Sequence, residues 1–306
     1  MANRLLDKVK FPAPGRYVLA VSGGVDSMSL LDIMVKHGGY DLIVAHLDHG
    51  MRMDSFQDME MVHEVIVELG LEFIGESHHL GELASEAMAR AARYRLLEQV
   101  REEYSAVAII TAHHLDDRIE TMLLNQQRGA DWQGLAPLQE TGLIKRPLLN
   151  IWKEELYEYA RQHNLRWRED STNLTLNTPR NHLRAELAKH PERKLQLKRE
   201  LERNDKQRQL REVELERITS EVAQCGGEEV FINRSKFLCL STTAARDVLL
   251  WVLRRYPELE VSRAQILRLE HFIKTARVDK QLPLSGTICA CAKRNGIVIS
   301  TSCILK

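Results

Sequence analysis

Along the first half of the chain, short predominantly apolar runs alternate with stretches whose apolar positions recur every three to four residues. Residues 17–21, 41–47, 71–74 and 107–111 are of the first kind and read as buried strands. The stretch with Met28, Leu30, Leu31 and Met34 is of the second kind, as are 55–69, 83–104 and 115–127, and these read as helices. Asp54 stands where the 55–69 helix needs an N-cap, and Gly129 where the 115–127 helix needs its C′ residue. Strands alternating with helices predict an α/β fold with a parallel sheet covered on both faces. Such sheets bind ligands beyond their C-terminal strand ends. Ser22, Asp48 and His113 each fall just past a strand and are expected on one rim.

The pattern changes after Arg146-Pro147-Leu148-Leu149. Helices are expected over 151–163, 181–189 and 191–222, with a polar loop from Glu169 to Pro179. The 191–222 helix is long and charged throughout, as connectors between domains are. Gly226-Gly227 marks a boundary. Beyond it a strand at 230–232, helices at 244–255 and 263–276, and a hairpin over 287–300 turning at Asn295-Gly296 predict a small α+β module. The expected organisation is a parallel-sheet, Rossmann-like domain over 1–190, a helical linker over 191–224 and a small α+β second domain over 225–306.

A length of 306 residues accommodates this division. No run approaches the roughly 20 apolar residues of a membrane span, and residues 1–10 lack the apolar core and cleavage site of a secretory signal. The five cysteines, Cys225, Cys239, Cys289, Cys291 and Cys303, form no Cys-x-x-Cys. They read as reduced thiols of a cytoplasmic protein, with Cys289 and Cys291 as packing residues on a strand. A net charge of zero conceals an asymmetry. Residues 1–120 carry 11 Lys/Arg against 20 Asp/Glu, residues 121–306 carry 32 against 23, and residues 180–211 alone carry 11 against 5. A basic second half points to a polyanionic partner.

The stretch Val18 to Ser27, Val-Leu-Ala-Val-Ser-Gly-Gly-Val-Asp-Ser, joins the first strand to the first helix. A glycine turn leading into a helix N-terminus gathers backbone N–H groups and the positive end of the helix dipole at one point, where an anion binds. Gly23 and Gly24 allow close backbone approach, and Ser22 and Ser27 add hydroxyls. Asp26 would repel a bare phosphate, so it makes sense as a ligand of Mg²⁺ placed between itself and the phosphates. Nucleotide loops ending in Gly-Lys-Ser/Thr use their lysine on the β/γ-phosphates. This loop contains no lysine, which suits a pyrophosphate that leaves rather than a γ-phosphate that is transferred.

A second informative string, Ala112-His-His-Leu-Asp-Asp-Arg-Ile-Glu-Thr121, opens a helix at a strand end. Asp117 and Glu120 are three apart and share a face. Two carboxylates beside a phosphate site call for a positive group between them, either a metal or an ammonium. His113 and His114 are adjacent, fall on opposite sides of the strand end, and do not read as a metal pair.

These strings, with His46 to Arg52, Ala89-Arg90 and Arg93-Tyr94, Arg128-Gly129, Arg146 to Leu149, Asp170 to Asn173, Arg180-Asn181 and Arg184, resemble in order the tRNA(Ile)-lysidine synthetase family, within the N-type ATP pyrophosphatase (PP-loop) superfamily. The likeness runs from about residue 16 to 185. It extends with weaker motifs over 191–306, in the manner of the family's short form.

The resemblance implies a PP-loop adenylating domain over 1–190 and a tRNA-binding module over 225–306. It implies a cytoplasmic ligase that joins L-lysine to carbon 2 of the wobble cytidine of tRNA(Ile) with a CAU anticodon, through an adenylated cytidine. ATP and Mg²⁺ are its cofactors, and tRNA(Ile) and L-lysine its partners; a homodimer is compatible with it. Ser22, Gly23, Gly24, Val25, Asp26 and Ser27 would bind ATP, with Asp26 on Mg²⁺. Asp117 and Glu120 would hold the lysine. Arg93 and His113 would stabilise charge developing on the phosphate, and Arg180 and Arg184 would contact nucleotide or tRNA.

Two departures from the family pattern bear on tRNA contacts. Ala130-Asp131-Trp132 intervenes before Gly134, where Trp132 is either a stacking platform for a splayed base or a core residue. Thr178 stands where an aromatic is common. Competing readings are a tRNA thiolase of the same adenylating fold and a non-catalytic nucleotide-binding module. A thiolase needs cysteines near its loop, and residues 1–224 contain none.

Overall fold

The computed structural model describes residues 5–48, 55–77, 86–140, 142–169, 178–256, 259 and 261–301. Asp54 and the strings 49–52 and 170–173 lie outside the described residues. The chain divides into two compact units, Met1–Asp205 and Lys206–Lys306.

The first unit is built on a parallel sheet of order β3-β2-β1-β4-β5. Its strands are β1 (Gly15–Ala20), β2 (Tyr40–Asp48), β3 (Glu72–Ser77), β4 (Ala108–Ile110) and β5 (Ile144–Lys145). Helices α1 (Val25–His37), α2 (Ser55–Leu69), α3 (Glu86–Glu103) and α4 (Leu115–Gln127) connect or follow them. The strands carry apolar residues at successive positions because both faces of the sheet are covered. On one face Leu19, Val44 and Ile110 pack with Leu30, Ile33 and Met34 of α1. On the other Val18, Ile43 and Ile109 pack with Leu96, Leu97 and Val100 of α3. The chain runs outward from β1 to β3, returns to place β4 on the opposite side of β1, and continues to β5. The order therefore reverses between β1 and β4, and the crevice past their C-terminal ends is where such sheets receive ligands.

Beyond the sheet lie α5 (Lys153–Gln162), α6 (Pro179–Ala188) and α7 (Pro191–Val222). The first part of α7 belongs to the first unit. Leu197 and Leu201 join Leu115, Ile119 and Met122 of α4 and Leu187 of α6, and the buried Arg118 holds both oxygens of Asp205 at 2.7 and 2.9 Å. Thr178 takes the N-cap of α6, its hydroxyl accepting from the Asn181 N–H at 3.1 Å, a role an aromatic side chain cannot fill.

The second unit carries an antiparallel sheet of order β6-β7-β10-β9-β8. Its strands are β6 (Ala223–Gly226), β7 (Glu229–Asn233), β8 (Gln281–Ser285), β9 (Ile288–Lys293) and β10 (Gly296–Ser300), with helices α8 (Arg234–Leu238), α9 (Thr242–Leu253) and α10 (Arg263–Thr275). Val248, Leu249 and Val252 of α9 and Leu269 and Ile273 of α10 pack with Ile232, Ala290, Ala292, Ile297 and Ile299. The pair Gly226-Gly227, read from sequence as a boundary, instead makes the β6–β7 hairpin turn, with Gly226 opposite Glu229. Asn295-Gly296 turns the β9–β10 hairpin as expected. Gly296 also lets β10 meet β7: a Cβ there would lie 2.1 Å from the Ile232 carbonyl oxygen. Cys289 is buried and Cys291 half-buried on β9. No helix among the described residues is long and apolar enough to cross a membrane.

Candidate active site

The glycine loop sits at the C-terminal end of β1, where the sheet order reverses. Gly23 has φ +85°, and a Cβ there would stand 3.3 Å from Met61 Cε, so only glycine takes this turn without strain. Gly24 is the N-cap of α1 and supplies no side-chain cap, leaving the first N–H groups of the helix available to an anion. Ser27 braces the loop. Its hydroxyl accepts from the Ser22 N–H at 3.2 Å, donates to the Gly24 carbonyl at 3.0 Å and lies 3.3 Å from Ser22 Oγ. Val25 is buried and can contribute only its backbone.

The loop borders a cavity of about 300 Å³. Ser22, Asp26 and Ser27 line it from β1 and α1, and Arg90, Arg93 and Tyr94 line it from α3. Thr111 and His113 line it past β4, joined by Asp117 of α4 and Arg180 of α6. Seven of the side chains singled out in sequence therefore meet: Ser22, Asp26, Ser27, Arg93, His113, Asp117 and Arg180. Glu120 and Arg184 lie behind Asp117 rather than on the cavity wall. Asp48 is buried at the end of β2, beside Ser77, and is not on the wall either.

Asp117 and Glu120 share a face, and the positive charge between them comes from guanidinium groups. Arg184 Nε donates to Glu120 Oε1 at 2.7 Å, and its Nη2 to Asp117 Oδ1 at 3.2 Å. Arg180 lies 3.2 Å from Glu120 Oε2 and donates to Thr121 Oγ1 at 3.1 Å. Glu120 is 2% exposed, and burial raises its pKa despite Arg184.

His114, given no role in sequence, holds the centre of the cluster. It lies 3.6 Å from Asp26, 3.6 Å from Asp116 and 3.5 Å from Asp117. Burial opposes its charged form, but Asp117, Asp26 and Asp116 outweigh burial and push its pKa up to about 9. Asp117, which burial alone would raise, is held at about 2 by the two histidines, the His114 N–H at 3.1 Å and Arg184. His113 behaves oppositely. Burial lowers its pKa to about 4, so the ring is neutral, with Nδ1 2.8 Å from Thr111 Oγ1.

Sequence reading also missed Lys153, whose Nζ stands 3.5 Å from Asp26 Oδ2. Its distance in sequence from the loop hides it, and only the packing of α5 against α1 brings it near. The other carboxylate oxygen, Asp26 Oδ1, is buried with no hydrogen-bond partner among the described residues.

A glycine turn feeding a helix N-terminus, facing basic side chains across a crevice at the reversal of a parallel sheet, defines a nucleotide-phosphate-binding α/β domain. The model of the PP-loop domain, an ATP-binding family, matches residues 1–191, and the chain belongs to this family. A tRNA(Ile)-lysidine synthase of Thermus thermophilus is 42% identical over 173 residues, covering 55% of this chain and 34% of that protein. That of Hydrogenovibrio crunogenus is 34% identical over 194 residues, covering 58% of this chain and 45% of that protein. The chain thus aligns with less than half the length of these relatives. Among solved structures, the U34-tRNA thiolase NcsA from Methanococcus maripaludis with its 4Fe-4S cluster shares the fold. The TM-score is 0.53 at 18% identity, covering 66% of this chain and 77% of that one.

Proposed function

We propose that this protein joins L-lysine to carbon 2 of the wobble cytidine of tRNA(Ile) with a CAU anticodon, using ATP. The carrying observation is that Asp117, an ionised carboxylate, opens on the same cavity as the glycine loop. The amine-holding group and the phosphate-holding group thus face one space, as the reaction needs. The lysidine synthases that align with the chain support the reading.

The oxygen on carbon 2 attacks the α-phosphorus of ATP, and pyrophosphate leaves against the N–H groups at the start of α1. Asp26 Oδ1, buried with no partner among the described residues, would hold a Mg²⁺ ion there. That ion, when bound, neutralises charge on the leaving pyrophosphate. Arg93 faces the charge that develops on the phosphate. The neutral His113, its Nδ1 2.8 Å from Thr111 Oγ1, offers an Nε2–H to the same oxygens in the tautomer in which Thr111 donates to Nδ1. The lysine ammonium replaces the Arg184 guanidinium on Asp117 and Glu120. The ε-amine, its proton passed to water, attacks carbon 2, and AMP leaves as the bond from carbon 2 to the adenylated oxygen breaks. Residues 180–211, rich in Lys and Arg, and the α+β module take the tRNA through phosphate contacts.

Incubation with ATP, labelled lysine and total bacterial tRNA should place label in one isoleucine acceptor. Absence of label with active tRNA present would refute the reading. Asp117→Asn should raise the KM for lysine by about 10- to 100-fold, the range for a lost charged hydrogen bond. Pyrophosphate release from ATP and tRNA without lysine should change far less.

A further inference from the structure

The glycine loop lacks the lysine that nucleotide loops place on the β/γ-phosphates, yet an ammonium stands beside it. We propose that Lys153 is a pyrophosphate-binding residue, supplied to the loop from the start of α5. The inference rests on the loop's role as a phosphate site and not on the identity of the acceptor or the amine.

Lys153 is the first residue of α5, and its backbone is pinned. Its N–H donates to Asp116 Oδ2 at 2.9 Å, next to Asp117 on the first turn of α4. The Leu115 N–H donates to the Ile151 carbonyl at 2.9 Å, and Ser29 Oγ of α1 donates to the Leu156 carbonyl at 3.4 Å. Contacts with α4 and α1 thus fix the root of the Lys153 side chain relative to the loop. Its ammonium lies 3.5 Å from Asp26 Oδ2, on the carboxylate already faced by His114, and 5.8 Å from the centre of the Tyr157 ring.

Asp26 is faced by Lys153 and by His114, which also faces Asp116 and Asp117. The Lys153 ammonium suits a site that receives several negative charges at once. The side chain is 30% exposed, and its flexible stem lets the three-donor ammonium turn from carboxylate to phosphate without moving the helix. Arg90 and Arg93 approach the cavity from α3. Lys153 comes from α5, so phosphates on the loop would be held from two separate elements.

Titration calorimetry of the whole chain with inorganic pyrophosphate and Mg²⁺ tests this without tRNA or lysine. Lys153→Met should weaken binding about 10- to 100-fold, with the unliganded thermal midpoint nearly unchanged, and Lys153→Arg should retain most of the affinity. In the unsubstituted protein, Mg²⁺-pyrophosphate should protect Lys153 from acetic anhydride, read by peptide mass. Unweakened binding by Lys153→Met overturns the proposal, and so does equal acetylation of Lys153 with and without pyrophosphate. Loss of lysidine formation with pyrophosphate binding and protection intact would count against the reaction assigned above and not against Lys153.

Discussion

Asp26→Ala is expected to lower AMP formation by about 10³-fold or more while tRNA binding stays within error of the unsubstituted protein. The size follows from removing a fixed charge that organises phosphate transfer in a partly water-excluded site. Asp26 Oδ1 is buried with no partner among the described residues, and Oδ2 is already faced by His114 and Lys153. The free lone pairs therefore belong to an incoming cation. Removing the carboxylate also leaves Lys153 beside the loop with one carboxylate fewer to neutralise, so affinity for metal-free ATP should hold or improve. The expected signature is a fall in kcat without a matching rise in the KM for ATP. Single-turnover AMP release, with filter retention of labelled tRNA measured in parallel, reads both halves. AMP release at the normal rate would remove Asp26 from the phosphate chemistry.

Local pattern made the first unit legible. Predominantly apolar runs at 17–21, 41–47 and 107–111 lie where β1, β2 and β4 form, because both faces of that sheet are covered. The helix over 115–127 shows in its periodicity. β5 did not show, since two residues, Ile144 and Lys145, carry no period. β6 and β8 are edge strands, the one Ala-Gln-Cys-Gly and the other interrupted by Pro283. Neither alternates as a half-buried strand should. At the site, residues adjacent in sequence to a strand end were found: Ser22, Asp26, Ser27, His113 and Asp117. Groups brought in by tertiary packing were not. Lys153 comes from α5, and Asp116 meets Lys153 and Lys194 only through packing. The charge on His114 depends on three carboxylates from two different helices, which no local string encodes. The guanidinium partners of Asp117 and Glu120 were missed in the same way: Arg184 and Arg180 were singled out, but for nucleotide or tRNA rather than for the carboxylates they hold.

His114→Gln is expected to remove the alkaline half of the protein's stability profile. The folded-state pKa of His114, about 9, lies above the unfolded value near 6.5. Its contribution is therefore complete below pH 6.5 and declines as pH rises to 9. Each pH unit separating the folded and unfolded values is worth about 1.4 kcal/mol, so the contribution is of order 3 kcal/mol. His113 has the opposite sign. Its folded pKa of about 4 lies below the unfolded one, so its contribution is complete above pH 6.5 and is lost as pH falls toward 4. The unsubstituted protein should thus lose stability on both sides of neutrality, and the variant only on the acid side. The variant should still fold, because each carboxylate left behind has another cation: Lys153 at 3.5 Å from Asp26, Lys194 at 2.7 Å from Asp116 and Arg184 at 3.2 Å from Asp117. Denaturant unfolding from pH 5 to 10, followed by tryptophan fluorescence, checks this, since Trp132, Trp152 and Trp167 lie in the first unit and only Trp251 in the second. Parallel profiles for the two proteins between pH 6.5 and 9 would mean that His114 is neutral in the folded state, and that the loop and the carboxylate helix are held together by Lys153, Lys194 and Arg184 without it.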